Sequence, residues 1–413
     1  VAHHASAQVI NTYFPALVGS LAGDSVLART QPEYTSLGVQ AGSFTIRPRV
    51  EEGLGYDSNV DGAPHGHGSA EIASHASIGA DSNWSRNSLN AYIGVDDLRY
   101  LSRAVQDETD WTASVGGAYD IGRDRLSASY THLALTQAPG DIGAQGLSTK
   151  QPYSVDDVRL TYNIVTHSAL SFTPDFEFRN YQFSSTVLAN GVSNAVHNRT
   201  TEQAELTTRY EFSPERNALL VVRGTRADYD NTPAGAISGN SNALTILAGL
   251  DYAATGVFRY RALVGYQFRE FDSRQVSNLS EPIVEGAVIW SPTRLTTVSA
   301  NIRRDIEDAA DESLAGFTYT AARVAVTHEL QRNVLLNGSI EWQHGDYRAT
   351  PVTLVNSNFA QFASSQDVYG GTVSGTVLLN RNLRATASYG LTLEHSAGSY
   401  VRNAAIISLG FGL

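Results

Sequence analysis

None of the 413 residues is cysteine or methionine, and only Lys150 is lysine. Without thiols the chain can hold neither a disulfide framework nor a thiolate metal centre. An envelope protein that must avoid stray disulfides during export would show this, and so would a chain shaped by genome composition. Positive charge is carried almost wholly by arginine, which a GC-rich genome explains as readily as function does. Long apolar runs are scarce too. A membrane-crossing helix needs about 20 consecutive, predominantly apolar residues, whereas stretches such as Ala218–Val222 and Leu244–Leu250 are short or broken by Thr and Gly. Helical spans are therefore excluded. No Pro-rich, Ser-rich or charge-block linker follows residue 42, so a split into several soluble domains is not expected. The net charge of −12 argues against nucleic acid as a partner.

What the chain has instead is alternation. In Leu383–Glu394, Leu383, Ala385, Ala387, Tyr389, Leu391 and Leu393 share one parity, and Arg384, Thr386, Ser388, Gly390, Thr392 and Glu394 the other. Successive strand side chains point to opposite faces, so such a segment has one apolar and one polar surface. Leu170, Phe172, Phe176 and Phe178 oppose Asp175, Glu177 and Arg179 in the same way, and Phe258, Tyr260, Val264, Tyr266 and Phe268 oppose Arg259, Arg261, Gln267 and Arg269. Tight turns recur about every 40 residues, near Trp84–Asn87, Ile121–Asp124, Thr166–Ala169, Ser213–Arg216, Ala254–Val257, Ser291–Arg294, Leu330–Asn333 and Asn380–Leu383. Between them lie longer Gly-, Ser-, Asn- and Asp-rich connections of unequal length, such as Gln137–Pro152, Ser185–Asn198 and Ala349–Ser365. Short turns on one side and long loops on the other mark a transmembrane barrel, with the short turns periplasmic. Soluble propellers also repeat at this period, but their strands are less than half as long.

The expectation is an all-β, antiparallel up-and-down outer-membrane barrel of about 18 strands over residues 43–413. Residues 1–42 would form an N-terminal periplasmic or lumenal segment. Within it, Val9–Leu21 is apolar but too short to span, which suits a plug, a docking peptide or a short helix. Ala5-Ser6-Ala7 has the small-residue pattern that ends a signal peptide, so an exported protein whose leader has been removed is expected. Trp84, Trp111, Trp290 and Trp342 suit interfacial girdles. Ala405, Ile407, Leu409, Phe411 and Leu413 share one face of a last strand that resembles the targeting strand of such barrels, although the aromatic stands two places before the end. The first and last strands should pair, because lipid leaves no unpaired backbone satisfied.

The stretch Phe44-Thr45-Ile46-Arg47-Pro48-Arg49-Val50, followed by Gly55-Tyr56-Asp57-Ser58-Asn59-Val60, resembles the start of the putative β-barrel porin 2 family. Asp81–Arg86 and Asp110-Trp111 through Tyr119–Ile121 extend the likeness, and the remainder follows by texture. The resemblance implies a Gram-negative outer-membrane barrel, in a family found in alphaproteobacterial exopolysaccharide loci, and supplies no catalytic residue.

Sites for chemistry are weak. Asp57-Ser58-Asn59-Val60-Asp61-Gly62 matches the first half of a calcium loop, but Gly68 stands where the bidentate acid is wanted, so an Asx-rich hairpin loop is the better reading. His65 and His67, with His3 and His4, lack a third ligand at a suitable spacing. His132, His328 and His344 fall on the apolar parity, and no G-x-S-x-G elbow is present. No catalytic residue, metal or cofactor is expected.

The polar parity carries the function-bearing charges. Arg159, Arg179, Arg209, Arg223, Arg259, Arg261 and Arg269 come from the middle strands, and Glu285, Asp305, Glu329 and Glu341 from later ones. As lumen-facing selectivity candidates they would form two opposed walls, with the arginine wall binding carboxylates or phosphates through exchangeable charge-assisted hydrogen bonds, or else a wall that neutralises itself. The expected role is a channel for hydrophilic solutes or exported polysaccharide. The alternative is a structural or docking barrel with a plugged lumen. Expected partners are outer-membrane lipid and lipopolysaccharide, the barrel-assembly machinery, and polysaccharide or other envelope proteins.

Overall fold

The computed structural model describes residues 26, 31, 33–138, 140–144, 150–184, 194–230, 238–253, 257–308, 314–349, 364–396 and 398–413. A short strand, β1 (Val39–Ala41), is followed by β2 (Phe44–Asp57), β3 (Ser69–Ser82), β4 (Ser88–Tyr100), β5 (Glu108–Ile121), β6 (Asp124–Gln137) and β7 (Gln151–Val165). Next come β8 (Leu170–Phe183), β9 (Arg199–Ser213), β10 (Arg216–Tyr229), β11 (Ser241–Tyr252), β12 (Phe258–Phe271) and β13 (Leu279–Thr293). The last six are β14 (Thr296–Glu307), β15 (Leu314–Gln331), β16 (Val334–Ala349), β17 (Ser365–Leu378), β18 (Leu383–His395) and β19 (Tyr400–Gly412). Each of β2 to β18 pairs antiparallel with the next, and β19 pairs with β2 through Ala404↔Asp57 to Gly412↔Arg49. The result is a closed ring of 18 strands. β19 pairs with β2 only as far as Arg49, and β1 pairs with Phe44–Ile46 beyond it (Val39↔Ile46, Ala41↔Phe44), so little of the first strand's edge is left open.

The barrel strands run from 12 residues in β11 to 18 in β15. At ~3.3 Å per residue and a tilt near 45°, even the shortest crosses the ~25 Å apolar band of an outer membrane. Alternation sorts each strand into two faces. The outer one presents Leu54, Val264, Ile340, Val373 and Ile407 at 58–70% exposure. So many aliphatics held outward would aggregate in water and are at rest in lipid. Trp84 and Trp290 stand outward near the short turns, and Trp111 and Trp342 stand in the half nearer the long loops.

The short turns lie where the alternation breaks. The β5–β6 turn uses Gly122 at φ +65°, a conformation open to glycine at little cost. In the β18–β19 hairpin's neighbour turn, the Asn380 side chain accepts from the N–H groups of Asn382 (2.8 Å) and Leu383 (2.9 Å). The expected turn at Ala254–Val257 lies mostly outside the described residues, as do Val9–Leu21 and most of residues 1–42.

The two faces differ in what a charge costs. Val264→Arg places a guanidinium at mid-height in lipid and should destabilise the barrel by about 2–4 kcal/mol. Ser129→Arg, on the inner face, should cost less than about 1 kcal/mol. Urea unfolding in detergent micelles, read by heat-modifiable migration, separates the two; a larger cost for Ser129→Arg than for Val264→Arg would mean the faces are reversed.

Candidate functional site

The polar parity of every strand faces the lumen, and all eleven selectivity candidates stand there. Their pairing follows from the ladder. Arg179 lies opposite Asp157 and donates to it at 2.9 Å, while Arg159 and Arg179 both bond the buried Glu177. Arg223 lies opposite Glu205 and reaches Glu205 and Glu285 at 2.8 Å each. Arg209 meets Asp251 at 3.1 Å. Arg269 bonds Asp308, just past β14, which also takes Arg199 at 3.3 Å. Burial alone would push the Asp308 carboxyl up, but the two guanidiniums more than offset this and hold it below the usual range. Among the acids, Asp305 and Glu307 accept from Arg303. Glu341 accepts from Gln343 at 2.5 Å, and Glu329 is buried on the lumen wall. Arg259 and Arg261 are half-buried.

Glu285, expected on a wall opposed to the arginines, thus bonds one of them directly. The lumen holds a lattice of alternating sign on neighbouring strands rather than two separated fields. Nor does Arg269 face water as expected: it is 6% exposed and stacks over Phe271.

The lattice leaves open space in the short-turn half. A cavity of about 900 Å³ lies against β4 to β12, lined by Ser, Asn, Thr and Gly and by Arg125, Arg209 and Arg259 with Glu211, Glu215 and Asp251. Most of its lining residues are polar, with Ala118, Ala128, Val165 and Leu170 among them, and its charged groups can exchange partners with a passing solute at little net cost, as exposed ion pairs are worth about 0–1 kcal/mol.

The loop end is narrower, for a reason not visible in the alternation. Residues 138 and 140–144, between β6 and β7, reach the wall formed by β15, β16 and β17, about eight strands away around the ring. Ile142 is 1% exposed among Phe317, Tyr319 and Tyr347. The Gly143 N–H donates to Tyr347 Oη at 2.8 Å, Tyr347 donates to Gln366 Oε1 at 2.8 Å, and Gln366 Nε2 donates to the Gly140 carbonyl at 3.2 Å. Asp141 caps the turn by accepting from the Ala138 N–H at 2.8 Å. Beside this latch, Leu133, Leu135, Tyr153, Val155, Tyr181 and Phe183 form an apolar cluster on the inner face of β6 to β8. Arg199 lies 4.3 Å from the Tyr181 ring centroid. Burial and the Arg199 charge push His197 down to about 3, so a neutral imidazole meets Phe183 edge-on.

The histidines weighed for catalysis point outward. His132 Nδ1 lies 2.8 Å from Asp156 and its ring 4.7 Å from Trp111, and His344 Nδ1 lies 2.9 Å from Asp367 beside Trp342. His328 bonds Thr296 at 3.0 Å. In the half calcium loop, Asp57 accepts from the Asn59 N–H at 2.8 Å, an Asx turn, and pairs with Arg402 at 2.6 Å. Asp61 takes the His67 ring at 2.8 Å and Arg103 at 3.1 Å, so these carboxylates are occupied by protein donors. Among the described residues no group of three or more metal-ligating side chains converges. His3 and His4 lie outside them.

The family model described as putative beta-barrel porin 2 matches residues 31–409. No curated protein sequence matches. Among solved structures, OccK2 (OpdF) of Pseudomonas aeruginosa is similar at 9% identity, covering 90% of this chain and 97% of that one with a TM-score of 0.47. OccAB3 of Acinetobacter baumannii is similar at 8%, covering 90% and 100% with a TM-score of 0.46. The FrpB iron transporter of Neisseria meningitidis is similar at 8%, covering 91% and 82% with a TM-score of 0.44.

Asp141 gives the latch a pH dependence. Burial, and secondarily the Glu108 carboxylate, push it up to about 7, against ~3.9 in an open loop. Between those values the docked loop binds the extra proton, so docking is most favourable below pH ~4, weakens as pH rises to about 7, and is flat above. Thiol labelling of an Ala144→Cys variant, normalised to free cysteine at each pH, should speed up from pH 5 to pH 7.5. Adding Asp141→Asn should abolish the change; a change that persists would assign it to another group.

Proposed function

The chain belongs to the putative β-barrel porin 2 family, and from that premise we propose that it is a passive conduit for small hydrophilic solutes across the outer membrane. The observation that carries this reading is the contrast of surfaces: an aliphatic exterior around a lumen whose wall is a charged lattice, with a cavity of about 900 Å³ lined mainly by polar and charged residues. A barrel that serves only as an anchor has no need of an inner wall built from exchangeable ion pairs; a hydrated path does. The latch favours small solutes over a polymer. With Ile142 seated on the far wall, a polysaccharide strand would have to unseat the loop, whereas small solutes need only pass beside it. In this reading the barrel's surroundings are membrane lipid and lipopolysaccharide, and the assembly machinery inserts it.

Planar-bilayer recording tests the proposal. Stable open steps are expected, from the complete chain or after deletion of residues 1–42; silence in both would favour the anchoring role. Selectivity is tested with Arg259→Gln and Arg261→Gln together, leaving Arg269 in place because it is buried against Asp308. A unit charge ~8 Å from a permeating ion in water contributes ~0.5 kcal/mol. Removing two should therefore lower the anion-to-cation permeability ratio about threefold after screening. An unchanged reversal potential in an open channel would mean that these arginines do not select ions.

A further inference from the structure

The two ends of the barrel differ in sign. The eight short turns, from β3–β4 to β17–β18, contain five arginines, Arg86, Arg123, Arg294, Arg332 and Arg381, and one carboxylate, Glu215. Arg216 follows Glu215 as the first residue of β10. The nine long connections contain eight carboxylates, among them Asp61, Asp107, Asp141 and Asp308, and three cations, Arg103, Lys150 and Arg274. A chain of net charge −12 thus keeps a basic rim at the short-turn end. All six rim arginines are exposed. Glu33 lies 3.8 Å from Arg332, but with both side chains mostly in solvent such a pair is worth little and leaves the rim basic.

The rim is basic where an apolar surface ends. Beside each arginine stands an exposed apolar side chain: Trp84 before Arg86, Ile121 before Arg123, Phe212 before Arg216, Leu295 after Arg294, Leu330 before Arg332 and Leu379 before Arg381. A strand of 14 residues such as β3 rises ~33 Å at ~3.3 Å per residue and a tilt near 45°, against an apolar band of ~25 Å. The turns therefore emerge at headgroup depth. At β10 the geometry is explicit. Arg216 shares the outward parity of Ala218 and Leu220 and lies opposite Tyr252 on the ladder. Its guanidinium carbon is 5.5 Å from the Tyr252 ring centroid. Tyr252 stacks on Tyr260 at 5.4 Å, and Phe258 lies against Tyr260 at 5.7 Å. The cation thus rests on a lipid-facing aromatic shelf. Ring faces attract its charge but leave the N–H fork to oxygen acceptors.

We propose that the short-turn rim is a binding annulus for anionic phospholipid, whose phosphate oxygens are taken by the six arginines while its acyl chains lie on the neighbouring apolar side chains. A guanidinium suits this headgroup because its planar fork meets two phosphate oxygens at once. The distribution selects lipid over a soluble acidic partner. The arginines recur at six of the eight short turns around the whole ring, as an encircling lipid shell requires, whereas a docked protein needs one basic sector. Arg216 also lies on the lipid-facing wall rather than at the mouth. With the short turns periplasmic, the annulus gathers the anionic lipids of the inner leaflet. It stands or falls separately from whether the lumen conducts.

Spin-labelled lipids read the annulus directly. The complete chain is reconstituted in mixed vesicles, and electron spin resonance gives the relative association of labelled phosphatidylglycerol over labelled phosphatidylcholine. A basic residue at a membrane surface favours an anionic neighbour severalfold, so a ratio of about two is expected when averaged over all lipids around the barrel at low salt. Replacing Arg86, Arg123, Arg216, Arg294, Arg332 and Arg381 together with Gln should bring the ratio to about one. Lysine at the same six positions should keep it above one. Heat-modifiable migration checks that each variant is folded. If the Gln variant does not fold, the native chain in about 0.5 M salt, where the screening length is ~4 Å, should show the same fall. A ratio near one for the native chain at low salt, or a preference that survives both the six Gln substitutions and salt, would overturn the proposal. In the first case, polyglutamate bound by the detergent-purified chain at low salt would assign the rim to a soluble acidic partner instead.

Discussion

The hydrogen bonds between β19 and β2 are the interaction on which the rest of this barrel depends. A peptide group facing lipid has no water to fall back on, and each unpaired one costs several kcal/mol. One open seam along strands of this length would outweigh the net stability of a typical domain. Closure therefore fixes the other features: an even ring that returns both ends to the short-turn rim, and a first strand whose Phe44–Ile46 stretch is paired by β1. The seam also ties down the chain end, where the Leu413 N–H donates to the Pro48 carbonyl at 3.1 Å.

Two solvents meet each strand, and this is why so much of the fold could be read from residue order. Shifting a strand by one residue would turn its whole aliphatic set into water and its charges into lipid. The alternation in Leu383–Glu394 or Phe258–Arg269 thus specifies face and strand limits together, and the outward residues Leu54, Ile340 and Ile407 lie where that rule puts them. The inner placement of the arginines is legible by the same rule. So are partners directly across the ladder, Arg179 with Asp157 and Arg223 with Glu205, once the register is known.

What escaped is what crosses the lumen or leaves the strands. Asp308 follows the last residue of β14, and no parity rule assigns it to Arg269 and Arg199. Ile142 sits in a Gly-rich connection and meets Phe317 and Tyr347 from a distant part of the chain. Such contacts depend on loop closure across the ring, which local pattern does not encode. The lumenal aliphatic cluster of Leu219, Val221, Leu247, Leu263 and Ile283 had a signal. Leu219, Leu220, Val221 and Val222 are apolar at both parities, as a strand covered on both faces should be.

Charges and aliphatics divide the work inside the lumen. An ion pair in a hydrated wall is worth about 0–1 kcal/mol, and a hydrogen bond about 0.5–1.5, so polar contacts with competing water hold a crossing segment weakly. Burying one Ile or Leu side chain gives about 1.5–3 kcal/mol and is not weakened by salt. The Ile142 loop is seated from the loop end on Phe317 and Tyr347, and the lumenal aliphatics of β10 to β13 form a second apolar patch in the wall. The lattice neutralises itself strand by strand and keeps the path wet. The loop that crosses the lumen rests on apolar contacts, so what narrows the path is expected to respond to changes at the Ile142 seat more than to ionic strength.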